Sequence, residues 1–358
     1  MKILLAPDKF KGTFTATEVC AHLRAGILES NPRAEVIEHP LADGGDGTLA
    51  VLLAHLGGGT VTVSGSGPRG EPVRAEVGDL PDGTLVLESA SLCGLSLIPG
   101  DQRNPMSTTT YGLGAALREI LSWGRRRVLV GLGGSATVDG GIGLARAFGF
   151  RFIGRDAREL GGSGGELEHL DAIQVPRGWD APARGRLRAL CDVENPLTGP
   201  SGAAESFAPQ KGASAAQTRL LASGLTRLAR LIQRDLGIDV AEVAGGGAAG
   251  GLGAALFAFL GAELVPGAVE IMSLCRFTGQ LEGVDLVVTG EGALDAGSFR
   301  GKVVGEVIRA CGARKVRVAV VCGRDDGVSV PPGVQVLCGM KVIDARDLRD
   351  TGKRLGRQ

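Results

Sequence analysis

The sequence predicts an α/β protein of two lobes, and three observations predict it. At 358 residues the chain exceeds the ~250 to 300 at which one hydrophobic core stops growing. Short apolar strands alternate with amphipathic helices towards both ends, which is the pattern of a parallel sheet. Between those ends lies a β-rich stretch cut by Gly-Pro and Pro-Asp-Gly turns, which suits an antiparallel meander and a second lobe.

Lys2 to Ala6 is a short apolar strand running into a polar loop. Thr15, with Glu18 three residues on, reads as a capping box opening a helix to about Leu28. A strand at Ala34 to Glu38, the loop Pro40 to Gly47 and a helix at Thr48 to His55 complete a β-α-β-α run. Val61 to Ser64, Pro72 to Val77 and Thr84 to Glu88 form the meander. Alternation resumes with a helix at Tyr111 to Ser122, a strand at Arg127 to Val130 and a helix at Asp139 to Phe148 after a glycine-rich loop. Leu187 to Cys191 reads as a strand and Val240 to Val243 as a weak one. Ala215 to Asp235 and Leu252 to Leu260 both read as amphipathic helices. Strands at Val284 to Thr289 and Val316 to Val321 flank a helix at Lys302 to Ala310. The simplest architecture joins residues 1–60 with 283–358 in one discontinuous β/α lobe and inserts 61–282 as a mixed α/β lobe, with the active site expected in the cleft between them.

Composition narrows the function. Lys plus Arg equals Asp plus Glu at 39 each and only 4% of residues are aromatic, so neither a phosphate-tracking basic face nor base-stacking platforms are expected, and nucleic acid is excluded as a partner. The apolar run before Pro7 is too short for a signal-peptide core, and no later run approaches the ~18 residues of a membrane span, so a cytoplasmic protein without membrane attachment is expected. Seven cysteines, with no pair at two- to four-residue spacing, disfavour both a zinc knuckle and a disulfide framework and read as small buried hydrophobes. Glycine is the outlier. Its 59 residues, about 16% of the chain against a typical ~7%, cluster beside acids and hydroxyls, where backbone must approach something closely.

Four loops share that design: Asp8 to Gly12, Asp43 to Thr48, Gly131 to Gly141, and Thr289 to Asp295. In open α/β sheets ligands bind beyond the carboxyl ends of the strands. Glycine-rich backbone ahead of a helix offers N–H donors to phosphate, and Ser135 and Thr137 add hydroxyls. Asp43, Asp46, Asp139, Asp192, Glu291 and Asp295 are of the right type to hold Mg²⁺ or to accept a proton from an attacking hydroxyl. Lys11, Arg300 and Lys302 supply positive charge for phosphate or a carboxylate. Phosphoryl transfer to a small molecule is the chemistry these parts suit.

Competing motifs are present. Gly245, Gly247 and Gly250 fit G-x-G-x-x-G, and Gly131, Gly133 and Ala136 its G-x-G-x-x-A form, so an NAD(P)-binding oxidoreductase is the formal alternative. The first follows only a weak strand, and the second lacks an acid near 20 residues on. Gly161 to Gly165 matches G-x-S-x-G but follows a polar segment, without a nucleophile elbow. The four histidines show no H-E-x-x-H spacing, and no Walker P-loop surrounds Lys302.

The motifs Ala6-Pro7-Asp8-Lys9-Phe10-Lys11-Gly12, Leu41-Ala42-Asp43-Gly44-Gly45-Asp46-Gly47-Thr48, Gly133 to Gly141, Asn195-Pro196-Leu197, Phe207 to Ala213, Gly247 to Gly251, Thr289-Gly290-Glu291-Gly292 and Val320 to Gly323 occur in that order. With them the chain resembles the bacterial glycerate kinase family that includes the glycerate 2-kinases. The resemblance implies two α/β lobes, one flavodoxin-like (Rossmann-like), with ATP and Mg²⁺ as cofactors and D-glycerate as acceptor. On that basis Asp8, Lys11, Asp43, Asp192 and Asp295 are the catalytic candidates, with Asp43, Asp192 or Asp295 as the base. Lys11, Arg300 and Lys302 are the substrate-binding candidates. Gly133, Gly134, Ser135, Thr137, Gly247, Gly290 and Gly292 are candidates for ATP, and Asp46, Asp139 and Glu291 for metal. The chain departs from the family pattern at Asp46, Val138, Ala293 and Ala296-Gly297, and a silent nucleotide-binding homologue is the third reading. A homo-oligomer is compatible with all three.

Overall fold

The computed structural model describes residues 1–181, 183–338 and 344–357. Its first five strands are β1 (Lys2–Leu5), β2 (Glu35–Glu38), β3 (Gly59–Ser66), β4 (Pro72–Asp79) and β5 (Thr84–Glu88). They are followed by β6 (Arg127–Gly131), β7 (Arg151–Gly154), β8 (Leu170–Gln174), β9 (Leu187–Cys191) and β10 (Glu263–Pro266). The last three are β11 (Leu286–Leu294), β12 (Arg317–Asp325) and β13 (Val334–Cys338). The chain divides into two compact units, one of Met1–Asp43, Ala50–Leu56 and Gly267–Gln358, the other of Gly44–Leu49 and Gly57–Pro266.

The first unit is built on a five-stranded sheet ordered β13-β12-β11-β1-β2, parallel throughout. Counted in the unit's own chain order this is 2-1-3-4-5, the flavodoxin-like arrangement, whose switch point lies between β1 and β11. Ile3, Leu5, Val288, Ala319 and Val321 form its core with Leu23, Ile27 and Leu348 from two helices. Those helices, Ala16–Ser30 and Ala345–Gly356, approach backbone to backbone. A Cβ on Gly26 would lie 1.8 Å from the Arg349 carbonyl oxygen, and one on Gly352 2.3 Å from that of Leu23. The first helix starts where the Thr15/Glu18 box predicts: the Thr15 hydroxyl accepts from Glu18 N–H, and the Glu18 carboxylate accepts from Thr15 N–H at 2.8 Å.

The second unit carries a six-stranded mixed sheet ordered β10-β9-β6-β5-β4-β3. The expected meander is present as antiparallel β3-β4-β5, and from β5 onward the pairs are parallel. A separate antiparallel hairpin, β7 with β8, packs with the helix Ala215–Leu236. That helix buries Leu221, Leu225, Leu228 and Ile232, the three-to-four spacing of an amphipathic helix. It is capped by Ser214 at one end and by left-handed Gly237 at the other. Several bounds differ from expectation, β11 running on to Leu294, β12 to Asp325 and the helix after Lys302 to Arg314. The helix expected from Asp139 begins at Ile142, because Asp139 is engaged in holding the loop ahead of it, and Val240 to Val243 is not a strand. No helix among the described residues is long and apolar enough to cross a membrane. The seven cysteines are free thiols, six of them buried.

Candidate active site

In the first unit the chain leaves β1 at the switch point, and two further backbone bonds, Ala6 N to Val288 O and Asp8 N to Gly290 O, carry it alongside β11 into the acidic loop. Asp8 is therefore buried, with its Oδ1 accepting from the Lys9 backbone at 2.6 Å. The Lys9 ammonium turns back to lie 3.3 Å from Asp43 Oδ1 and 3.8 Å from Asp8 Oδ1. Asp43 is brought there by the extended segment after β2, tied by His39 N to Leu5 O and Leu41 N to Pro7 O, while His55 Nε2 donates to Pro40 O at 2.8 Å. Glu291, on β11, lies 3.8 Å from Lys302 Nζ, and its Oε1 is buried without a hydrogen-bond partner. Burial first, and the Asp43 charge second, push the Asp8 carboxyl up to about 8, against the pull of Lys9. Burial also raises Glu291, opposed by Lys302. The result is three acids around two lysines, with one acid held protonated near neutral pH.

Not every acid and glycine expected here belongs to that cluster. Asp295 Oδ1 accepts from Gly297 N at 2.7 Å and Ser298 N at 3.2 Å, and its own N–H donates to Ser298 Oγ. It is the cap of the turn Ala296–Phe299, a role that engages its Oδ1. Gly290 is glycine because a Cβ would lie 2.1 Å from Val321 O, which lets β12 pack closely against it. Gly292 sits against the backbone of Phe10 and Lys11. The Lys11 and Arg300 side chains are exposed, and Lys302 rather than either faces Glu291.

The second unit gathers another set. After β6 the glycine-rich loop is pressed against Gly44 to Asp46. A Cβ on Gly131 would meet Gly44 O at 2.5 Å, one on Gly133 the Gly45 Cα at 2.5 Å, and one on Gly134 the Asp46 carboxylate at 2.5 Å. Asp46 Oδ1 is buried with no hydrogen-bond partner. Asp192, following β9, approaches the same loop, with an oxygen 3.5 Å from where a Gly133 Cβ would be. Lys211 reaches in from the segment Pro209–Lys211 and is 3% exposed, its ammonium donating to Ser135 Oγ at 2.8 Å and Thr137 O at 2.7 Å. Burial lowers the Lys211 ammonium to about 8, opposed by Cys93, Asp139 and Asp192. Thr137 Oγ1 is buried, and the weakly accepting Cys93 sulfur is the group it touches.

Asp139 is not placed to bind metal. It is fully buried, and its oxygens accept from Thr110 N and Oγ1 at 2.8 and 2.7 Å, Gly141 N at 3.0 Å and Gly143 N at 3.3 Å. Burial still raises its carboxyl despite those donors, and the group is a clamp on the loop. The Gly245 loop is likewise spent on packing. A Cβ on Gly245 would strike Cys191 Sγ at 2.8 Å, on Gly247 Pro196 O at 2.2 Å and on Gly250 Thr137 O at 2.0 Å. Ala249, Gly250 and Gly251 are all left-handed, and Gly140 N donates to Gly250 O, so this loop supports the Thr137 loop from behind. With no strand ahead of it and its glycines filled by backbone, it is not a dinucleotide fingerprint, and Gly247 has a packing reason instead of a phosphate one. Ser163 of the G-x-S-x-G match caps the turn Gly164–His169.

Two functional candidates were not singled out from the sequence. Lys9 and Lys211 each stand in a motif noted above, but nothing local distinguishes a buried lysine from a solvated one. The only signal was their position in glycine-containing motifs, Asp-Lys-Phe-Lys-Gly and Pro-Gln-Lys-Gly.

Residues 3–332 match the model of the glycerate kinase family. The chain is 40% identical over 308 residues to the glycerate 2-kinase of Escherichia coli, covering 85% of this chain and 80% of that protein. It is 39% identical over 342 residues to the glycerate kinase of Bacillus subtilis, covering 94% and 89%. A crystal structure of a putative glycerate kinase 2 from Salmonella typhimurium superposes with a TM-score of 0.82 at 36% identity, covering 100% of this chain and 97% of that one. The chain belongs to the glycerate kinase family.

Proposed function

We propose that this protein transfers the γ-phosphoryl group of ATP to D-glycerate and releases 2-phosphoglycerate. The observation that carries the reading is the Asp8–Lys9–Asp43 arrangement at the switch point, two carboxylates around one ammonium, with burial pushing the Asp8 carboxyl up to about 8. Asp8 stays protonated and Asp43 accepts the proton of the attacking hydroxyl. Lys9 and Lys302 receive the glycerate carboxylate, a small anion that suits two ammonium groups. In the step itself the glycerate oxygen forms a bond to the γ-phosphorus, the bond from that phosphorus to the β,γ-bridging oxygen breaks, and ADP leaves with the electron pair. Because such transition states are loose, positioning matters more than base strength, and an ionised aspartate suffices.

Gly133, Gly134, Ser135 and Thr137 are the residues we assign to the phosphate chain. Mg²⁺ enters as part of the MgATP substrate and offsets phosphate charge; it needs only one or two protein carboxylates, and the unpartnered Oδ1 of Asp46 fits that demand. The test is incubation with D-glycerate and MgATP coupled to enolase alone. Immediate enolase-dependent absorbance identifies 2-phosphoglycerate, whereas a signal that requires added phosphoglycerate mutase identifies the 3-phosphate and refutes the regiochemistry.

A further inference from the structure

We propose that Lys211 is the positioning residue of the phosphate subsite, setting the Ser135 and Thr137 hydroxyls to donate to an anionic phosphate oxygen. This rests on the kinase reading above for the identity of the anion. Its geometry is independent of that reading. A lysine ammonium has donors only, so the bond to Ser135 Oγ occupies a lone pair of that hydroxyl and leaves its O–H as a donor in need of an acceptor. The second bond, to Thr137 O, fixes the residue whose buried Oγ1 has only the Cys93 thiol, a weak partner, beside it. One cation thus ties down both hydroxyl-bearing residues of the loop.

The cation needs an anion as well. Removing an ammonium from water is costly unless its charge is compensated. The charged or titratable groups facing Lys211 are Cys93 on the helix Ala90–Cys93, Asp139 on the loop after β6 and Asp192 after β9. Burial keeps the Cys93 thiol neutral, raised to about 12, and four donors already occupy Asp139. Asp192 alone is a poor match for a site that also holds unspent hydroxyl donors. A phosphate oxygen satisfies the ammonium and both hydroxyls together.

The test is equilibrium binding of ATP with Mg²⁺, without glycerate, by titration calorimetry on the full chain. Lys211→Met keeps the aliphatic stem and should weaken binding by at least about tenfold, the loss typical of a hydrogen bond to a charged group. The KM for D-glycerate should stay within roughly twofold in the same variant, a split that a general loosening of the protein would not produce. Ser135→Ala should weaken ATP binding in the same direction. From pH 7 to 9 the wild-type affinity should fall as the ammonium loses its proton, and Lys211→Arg, which does not titrate there, should flatten that fall. A folded Lys211→Met that binds ATP as the wild type does overturns the proposal. Should Lys211→Met not fold, unchanged binding in Ser135→Ala or a full alkaline fall in Lys211→Arg overturns it equally. Absence of glycerate turnover with these binding effects intact would instead remove the acceptor assignment and leave Lys211 standing.

Discussion

Replacing Asp8 by Asn should make the protein more stable at alkaline pH while removing its activity. The Asp8 carboxyl is held at about 8 in the folded chain against 3.8 for the ordinary group, a raised acid. Between those values the folded state keeps a proton that the unfolded state has lost, so stability falls as pH rises from about 4 to 8. Four units at ~1.4 kcal/mol each set a ceiling of about 6 kcal/mol at pH 8. Water entry and movement of Lys9 dissipate part of this, and roughly 2 to 4 kcal/mol is the expected gain for Asp8→Asn at pH 8. Asn retains the Oδ1 that accepts from Lys9 N–H, so the local turn survives. Urea unfolding of both proteins at intervals from pH 4.5 to 8.5 measures the difference. It should be near zero at the acid end and grow steadily. A difference independent of pH would refute the protonated state of Asp8, and with it the division of labour between Asp8 and Asp43.

Three other substitutions separate chemistry from scaffolding. Asp43→Asn should lower kcat by about 10² to 10⁴ with little change in ATP affinity, whereas the parallel Asp192→Asn variant should retain the greater share of kcat; steady-state kinetics on both decides between them. Asp139→Ala strands the donors of Thr110, Gly141 and Gly143 and should cost about 2 to 4 kcal/mol in denaturant unfolding, with the Mg²⁺ concentration for half-maximal rate unchanged. Asp295→Ala removes a cap, should cost about 1 kcal/mol, and should leave more than a tenth of kcat, a far smaller loss than that of a base.

Legibility from sequence followed how local the cause was. The helix Tyr111–Ser122 and the strand β9 matched the residues expected, because apolar spacing and flanking turns are local. The hairpin β7–β8, the strand β10 and the helix Ala345–Gly356 were not foreseen. Their strands are only four or five residues long, and the helix is tied down by glycines that matter only against Ala16–Ser30. In the site the acidic loops were legible as a group, but a capping aspartate and a functional one look alike in sequence. Asp139 and Asp295 stand in glycine-containing loops just as Asp43 and Asp46 do, and it is their capping and clamping hydrogen bonds to neighbouring backbone that show their structural roles. Lys9 and Lys211 were missed because burial of a lysine is decided by segments far off in the chain.

The pairing of β1 with β11 has a consequence for synthesis. Ile3 lies beside Leu286 and Leu5 beside Val288, so β1, once synthesised, waits some 280 residues for one of its two neighbours. At roughly 5 to 20 residues per second this is on the order of a quarter of a minute to a minute. During that interval β1 offers an apolar strand with one open edge, while every strand of the six-stranded sheet has already been made. Nascent-chain truncations ending before β11 should therefore be trapped by holdase chaperones through β1, and extending the chain through β12 should release them.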